Sequence, residues 1–107
     1  MQPGFDIEIS ADQPTILTVT LSGELDLAAR PVVTEQVTGA LVSEADIERV
    51  VVDLGRVRFC DSSGLGALLD IRRAADRSGA VIVLRSASAG VGRVLDMAGI
   101  DDLLPRE

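Results

Sequence analysis

The chain has 107 residues, with 17 acidic side chains, 10 basic side chains, no histidine and a formal net charge of −7. This length suits one compact domain, and the acidic balance argues against binding to nucleic acid or to an anionic membrane surface. A serine–histidine or cysteine–histidine nucleophile pair is excluded. Since all ten basic residues are arginine, the lysine of a P-loop is absent too.

Cys60 is the only cysteine, so no intrachain disulfide can form and no pair of thiols is present to bind zinc. Residues 1–4 lack the basic and apolar regions of a signal peptide, and no stretch approaches the roughly 20 apolar residues that span a bilayer. We therefore expect a cytoplasmic protein that is not inserted in a membrane and that binds no cofactor or metal.

The first part of the chain predicts two strands and a helix. Apolar and polar residues alternate over 5–10, as in a strand with one face on a core. A turn at 12–14 leads into a more apolar strand over 16–21, which we expect to pair antiparallel with the first strand. Pro31 suits the first turn of a helix, and apolar residues at helical spacing extend that helix to about Ser43.

Strands and helices then alternate. The apolar pattern predicts a strand over 49–54, a helix from Ser63 that stops at Gly79, a strand over 80–85 and a helix that ends at Gly99. Residues 100–104 are candidates for a short edge strand. The order ββαβαβα(β) predicts an α/β fold: a mixed, mainly parallel sheet of four or five strands, with an antiparallel first strand and helices packed against it. No linker or repeat divides residues 1–107, which we interpret as a single domain.

The segment Cys60-Asp61-Ser62-Ser63-Gly64-Leu65-Gly66 places two hydroxyls where the third strand gives way to a helix. The first N–H groups of a helix lack partners, so Ser62 or Ser63 is expected to cap the helix, and a phosphate here would meet backbone donors. Asp61 is interpreted as a cap rather than a catalytic base. Gly64 and Gly66 predict close packing of the helix on the sheet, and they also leave room for a partner.

A second acidic segment, Gly23-Glu24-Leu25-Asp26-Leu27, ends the second strand. Parallel strands bring their C-terminal ends to one edge of a sheet, where open α/β sheets place binding sites. We therefore expect Asp26 and Asp61 to lie near Ser62, although helix capping and solvated charge also explain an acidic turn. Five charged residues of the following helix are expected on its solvated side, namely Asp70, Arg72, Arg73, Asp76 and Arg77.

With these residues in view, the chain resembles the STAS family, named for sulfate transporters and anti-sigma factor antagonists, and within it the bacterial anti-anti-sigma factors. The resemblance covers nearly the whole chain and rests on residues 23–26 and 61–66, with support from 95–99. It implies that Ser62, directly after the aspartate, is the phosphoacceptor, and that Ser63 is a neighbouring cap or hydrogen-bonding residue. The C-terminal helix common in the family would be short or absent here.

The resemblance also implies a mechanism of partner switching. The unphosphorylated protein would bind an anti-sigma factor and so free a sigma factor, and the anti-sigma factor, itself a serine kinase, would end the association by phosphorylating Ser62. A separate phosphatase would restore binding, and this chain would need no catalytic residue. The residues implied to contact the partner are Glu24, Asp26, Asp61, Ser62, Ser63, Gly64, Leu65 and Gly66.

Two alternatives stay open. One keeps the fold and makes the protein a STAS scaffold or a transporter-associated regulatory subunit whose serine is never phosphorylated. The other is a small nucleotide-binding or phosphate-handling enzyme that uses Asp61. In the family pattern, an apolar residue is usual at the position of Cys60, so we expect this thiol to pack as a small hydrophobic group, with redox sensing as the lesser alternative.

Overall fold

The computed structural model describes residues 4–107 as one four-stranded sheet and three helices. The strands lie in the order β1-β2-β3-β4, with β1 antiparallel to β2 and the other neighbours parallel. The mixed, mainly parallel sheet predicted from the element order is therefore confirmed. The elements are β1 (Phe5–Gln13), β2 (Ile16–Leu25), α1 (Arg30–Ser43), β3 (Arg49–Cys60), α2 (Ser62–Arg77), β4 (Val81–Arg85) and α3 (Ala89–Ala98).

The core consists of apolar side chains that recur at strand spacing in the sheet and at helical spacing in the helices. Every second residue of β2 is buried, as expected of a strand with one face on the interior. Helix α1 buries Val33, Val37 and Leu41, which recur at helical spacing, and α2 buries its own stripe that includes Leu68 and Ile71. These side chains belong to a single apolar cluster. Among the helices of residues 4–107, none has the length and apolar character needed to cross a bilayer.

Strands β2 and β3 run further than the alternation of apolar residues predicts, to Leu25 and Cys60 rather than to 21 and 54. The ladder between the two strands continues although the pairing shifts between Thr20 and Ser22 and again between Gly23 and Glu24. Burial alternates to the end of β2, whereas it does not alternate in the last part of β3. This extension matters for function because it carries both strand ends to the candidate site.

The C-terminal boundaries follow local hydrogen bonding. Gly99 adopts a left-handed conformation with φ 65° and ends α3, as predicted. The edge strand considered for residues 100–104 is wrong, because Leu103 and Leu104 both donate backbone hydrogen bonds to the carbonyl of Ile100 and so form a turn. The bridge to β4 is made instead by Arg106, which pairs with Leu84.

Candidate functional site

The C-terminal ends of β2 and β3 lie side by side. Leu25 is the ladder partner of Cys60, and the backbone N–H of Asp61 donates to the carbonyl of Leu25 over 3.4 Å. Asp26 and Asp61 therefore follow directly on two adjacent strand ends, as the expected parallel pairing requires. Helix α2 starts at this edge with Ser62.

Asp61 caps helix α2. Its backbone is extended, with φ −108° and ψ −167°, and its Oδ1 accepts a hydrogen bond from the N–H of Gly64 over 3.0 Å. The interpretation of Asp61 as a cap is confirmed, and the expectation that Ser62 or Ser63 would cap is wrong. The carboxylate is the better group for this position because it both accepts the hydrogen bond and faces the positive end of the helix dipole.

Ser62 and Ser63 form the first turn of α2. The Ser62 residue is exposed to solvent, and Ser63 is half-buried. Because Asp61 already supplies the cap, the serine hydroxyls are not needed for it, and neither makes a side-chain hydrogen bond to another residue of the range 4–107. The Ser62 hydroxyl is thus accessible to another molecule.

Gly64 brings the start of α2 directly against the strand ends. A Cβ at this position would collide with the carbonyl oxygen of Leu25 and would lie 2.8 Å from the Sγ of Cys60. A Cβ on Gly66 would lie 2.7 Å from the Cζ of Arg30. The predicted close packing of the helix on the sheet is therefore confirmed for Gly64 and wrong for Gly66, which makes room for an arginine of α1 instead.

Asp26 organises the turn between β2 and α1. Its Oδ1 accepts hydrogen bonds from the backbone N–H groups of Ala28 and Ala29 over 3.1 and 3.2 Å. Its carbonyl accepts from the N–H groups of Ala29 and Arg30, each over 3.2 Å. Glu24, two residues earlier and within β2, accepts a hydrogen bond from the Nη2 of Arg58 over 2.7 Å. Both acidic residues are thus held in place by this chain.

Two exposed apolar residues at this edge were not predicted from the sequence. Leu27, directly after Asp26, is 71% exposed, and Phe59, the ladder partner of Glu24, is 50% exposed. The exposure of Phe59 arises because the burial pattern of β3 departs from alternation at its end, where Arg58 and Phe59 are both exposed. A signal was available for Phe59, since it is one of only two aromatic residues in the chain.

Arg30 and Asp70 form an ion pair between α1 and α2 that the sequence analysis also missed. Asp70 accepts hydrogen bonds from the Nε of Arg30 over 2.8 Å, the Nη2 of Arg30 over 3.3 Å, the hydroxyl of Thr34 over 3.0 Å and the Nη1 of Arg73 over 3.0 Å. The hydrogen bond from Arg30 is the main cause that holds the pKa of Asp70 below its usual value. With its side chain only 16% exposed, Asp70 does not lie on a solvated face.

The other charged residues of α2 behave more as expected. Arg73, Asp76 and Arg77 are exposed, which confirms the prediction for these three. Arg72 is half-buried instead, because its Nη1 donates to the carbonyl oxygens of Asp102 and Leu103 over 3.3 and 2.7 Å. Its side chain therefore fastens the turn after α3 to α2.

Cys60 is buried, and its Sγ lies 3.6 Å from the carbonyl oxygen of Asp61. Desolvation, with a smaller contribution from the charge of Asp61, raises the pKa of the thiol from 9.0 to about 11. The thiolate is the reactive form, so the thiol packs as a small hydrophobic group at neutral pH. Within residues 4–107, no group of three or more potential metal ligands comes together.

Comparison with known proteins identifies the family of this chain. The family model described as "Mlab, STAS domain" matches residues 10–105. The chain belongs to the STAS domain family. The resemblance inferred from residues 23–26 and 61–66 is thereby confirmed.

Individual proteins are also similar to this chain in sequence or in fold. The anti-sigma F factor antagonist of Paenibacillus polymyxa is 33% identical over 90 residues, which are 84% of this chain and 76% of that protein. The anti-sigma factor antagonist SpoIIAA in its unphosphorylated form has a TM-score of 0.79 at 20% identity, covering 95% of this chain and 88% of that one. The Bacillus SpoIIAA structure in the phosphorylated form has a TM-score of 0.71 at 20% identity, covering 95% and 91%. The two structures demonstrate the likeness of the fold.

Proposed function

We propose that this protein is an anti-sigma factor antagonist that binds an anti-sigma factor through the edge where β2 and β3 end. The observation that carries the proposal is the exposed Ser62 directly after a capping aspartate, beside the Asp26 turn. The relative from Paenibacillus polymyxa, which bears the name of such an antagonist, supports the role.

The proposed contact surface contains residues of three kinds. The acidic side chains and hydroxyls of Glu24, Asp26, Asp61, Ser62 and Ser63 offer polar contacts, and Leu65 offers an apolar one. Gly64 and Gly66 contribute through the close packing that sets the position of the first turn of α2. The acidic side chains and the net charge of −7 favour a partner whose surface around the contact is basic.

Ser62 is the proposed phosphoacceptor of a serine kinase activity in the partner. Its Oγ attacks the γ-phosphorus of ATP, the bond from that phosphorus to the bridging oxygen breaks, ADP leaves, and the hydroxyl proton passes to a base of the kinase. A separate phosphatase would hydrolyse the ester and restore the hydroxyl. SpoIIAA, which has the same fold, has been solved in unphosphorylated and phosphorylated forms, and this supports the proposal.

The sizes of the electrostatic free energies favour release of the partner by phosphorylation without unfolding of this protein. A phosphate adds about −1.5 to −2 charges at neutral pH, and an anion at a helix N-terminus is stabilised by roughly 0.3–1 kcal/mol. In the docked complex, the new phosphate would face the phosphates of the bound nucleotide, beside Asp26 and Asp61. Such like-charge contacts can cost several kcal/mol, and every ~1.4 kcal/mol lowers affinity tenfold.

The proposal is tested by mass spectrometry after incubation with the cognate anti-sigma kinase and ATP. We expect the wild type and the control Ser63→Ala to gain one phosphate and Ser62→Ala to gain none. The phosphorylated protein should then bind the kinase at least about tenfold more weakly than the unmodified protein, as measured by calorimetry. Modification that persists in Ser62→Ala, or equal affinity of the two forms, would contradict the switch.

Two further experiments separate the alternatives. Recovery of a membrane transporter and no kinase-like protein in a pull-down would favour the scaffold interpretation. Nucleotide turnover that is lost in Asp61→Asn would revive the enzyme interpretation. The Asp61 carboxylate is already engaged with the N–H of Gly64 as a cap, which argues against a catalytic role for it.

A further inference from the structure

The guanidinium of Arg30 lies one helical turn from Ser62. It rests on Gly66, where its Nη1 and Cζ are the atoms nearest to the position a Cβ would occupy. Gly66 follows Ser62 by four residues, which on an α-helix places the two on the same face with about 6 Å of rise between them. Arg30 is therefore the cation that α1 holds against the first turns of α2.

Arg30 uses only part of its hydrogen-bonding capacity. Its Nε and Nη2 donate to Asp70, whereas its Nη1 makes no hydrogen bond to any residue of the range 4–107. Its side chain is 40% exposed, so it has room to turn. Asp70 would not be left unpaired if Arg30 moved, because it also accepts hydrogen bonds from Thr34 and Arg73.

We propose that Arg30 is the intramolecular partner of a phosphate on Ser62, and that it divides its hydrogen bonds between this phosphate and Asp70. A guanidinium binds phosphate with charge-assisted hydrogen bonds, for which the uncommitted Nη1 is available. This inference rests on the proposed function and assigns Arg30 as a positioning residue of the phosphorylated state. The phosphate would be drawn into the groove between α1 and α2 rather than project freely into solvent.

The test uses protein in which phosphoserine is incorporated at position 62 during translation, so that no kinase is needed. The second pKa of a phosphoserine is about 6, and phosphorus NMR measures it directly in a pH titration. Arg30 lowers this pKa, while the neighbouring carboxylates of Asp26 and Asp61 raise it. We expect Arg30→Gln to raise the phosphate pKa by at least about half a unit relative to the wild type.

Arg73→Gln is the matched control. It removes the same charge and another hydrogen bond to Asp70, but residue 73 lies eleven positions from Ser62, or about 16 Å along α2. That distance exceeds the screening length of about 8 Å at physiological ionic strength, so the direct effect on the phosphate is small and the phosphate pKa should rise much less than in Arg30→Gln. An equal shift in both variants, or no shift in Arg30→Gln, would overturn the inference.

Asp70→Asn supplies an independent variant with the opposite sign. It weakens the competing acceptor, so Arg30 spends more of its time on the phosphate and the phosphate pKa should fall below the wild-type value. A phosphate pKa equal to or above the wild-type value in folded Asp70→Asn would contradict the exchange. A failure of the kinase to modify Ser62 would remove the proposed function but would leave this titration unaffected, so the two outcomes are distinguishable.

Discussion

Gly64 controls how closely the first turn of α2 approaches the sheet. Any side chain at this position would meet the carbonyl oxygen of Leu25 and the Sγ of Cys60. The helix would then have to move away from the strand ends, and Ser62 would move with it. The residue that positions the candidate phosphoacceptor is thus one that carries no functional group.

We predict that Gly64→Ala lowers the free energy of unfolding by about 1–3 kcal/mol, since the added methyl group must displace backbone or Cys60. Gly90→Ala is the control, because a Cβ at that position of α3 has nothing within 4 Å. It should leave stability unchanged or raise it by about 0.4–1 kcal/mol. Urea titrations of both variants check this, and equal stability of Gly64→Ala and the wild type would disprove the steric argument.

The individual site residues that could be predicted from the sequence are those that stand in one short motif. Asp61, Ser62 and Gly64 stand together at a recognisable strand-to-helix junction, so their placement in the turn followed from the chain alone. Arg30 and Asp70 are 40 residues apart, and no periodicity links them. Their pairing depends on how α1 and α2 dock, which is a property of the folded chain.

Helices α1 and α2 run in the same direction along a shared seam. Arg30 lies over Gly66, and Thr34, one turn later, donates its hydroxyl to Asp70. This parallel arrangement follows from the two consecutive βαβ crossovers, which bring both helix N-termini to the edge where the strands end. The seam therefore starts at the candidate site.

The ion pair in this seam predicts a pH dependence. Because the pKa of Asp70 is lower in the folded state than its ordinary value of 3.8, its contribution to stability is present above that value. It is lost as the pH falls through the lowered pKa of the folded state. We expect the unfolding free energy of the wild type to fall more steeply on acidification than that of Asp70→Asn.

Urea titrations over a series of pH values measure these slopes. Asp76→Asn is a suitable control, since Asp76 lies on the same helix but is exposed and contacts Arg72 over 3.4 Å. This variant should keep the wild-type slope, because an exposed ion pair contributes little to stability. A slope in Asp70→Asn that matches the wild type would show that the seam does not hold the carboxylate charged.

The elements themselves were predictable because each carries a recognisable apolar pattern, which is periodic in β2 and in the helices and a continuous apolar run in β3. The helices and the interior parts of the strands combine apolar spacing with glycine and proline boundaries, as in α3 and its terminator Gly99. The ends of β2 and β3 were not predictable in this way. At the end of β2 burial alternates to the last residue, but the polar and glycine residues 22–24 are typical of a turn. At the end of β3 the exposed Arg56, Arg58 and Phe59 interrupt the pattern, although the backbone ladder persists.

For the molecule as a whole, the excess of acidic residues predicts how the partner is approached. A chain of net charge −7 attracts a basic surface over a distance that shrinks from about 30 Å at 0.01 M salt to about 3 Å at 1 M. We expect the association rate with the proposed anti-sigma kinase to fall steeply as salt is raised, while the dissociation rate changes less. Stopped-flow mixing at several salt concentrations measures both rates.

Two substitutions that each remove one negative charge test whether the electrostatic attraction of the partner is local to the proposed contact surface. Glu24→Gln changes a residue of the proposed contact surface, and Glu35→Gln changes an exposed residue of α1 outside that surface. The association rate should fall more in Glu24→Gln than in Glu35→Gln. Equal effects would indicate that only net charge matters and that this edge of the sheet is not the contact.

The burial of Cys60 has a practical consequence for spectroscopy. With the native thiol buried and protonated at neutral pH, a maleimide dye will react selectively with a second cysteine placed on the surface. Met97 in α3 is 84% exposed and lies outside the proposed contact residues, so Met97→Cys gives a single labelling position. A fluorescent reporter of complex formation can thus be attached while the natural cysteine stays in place.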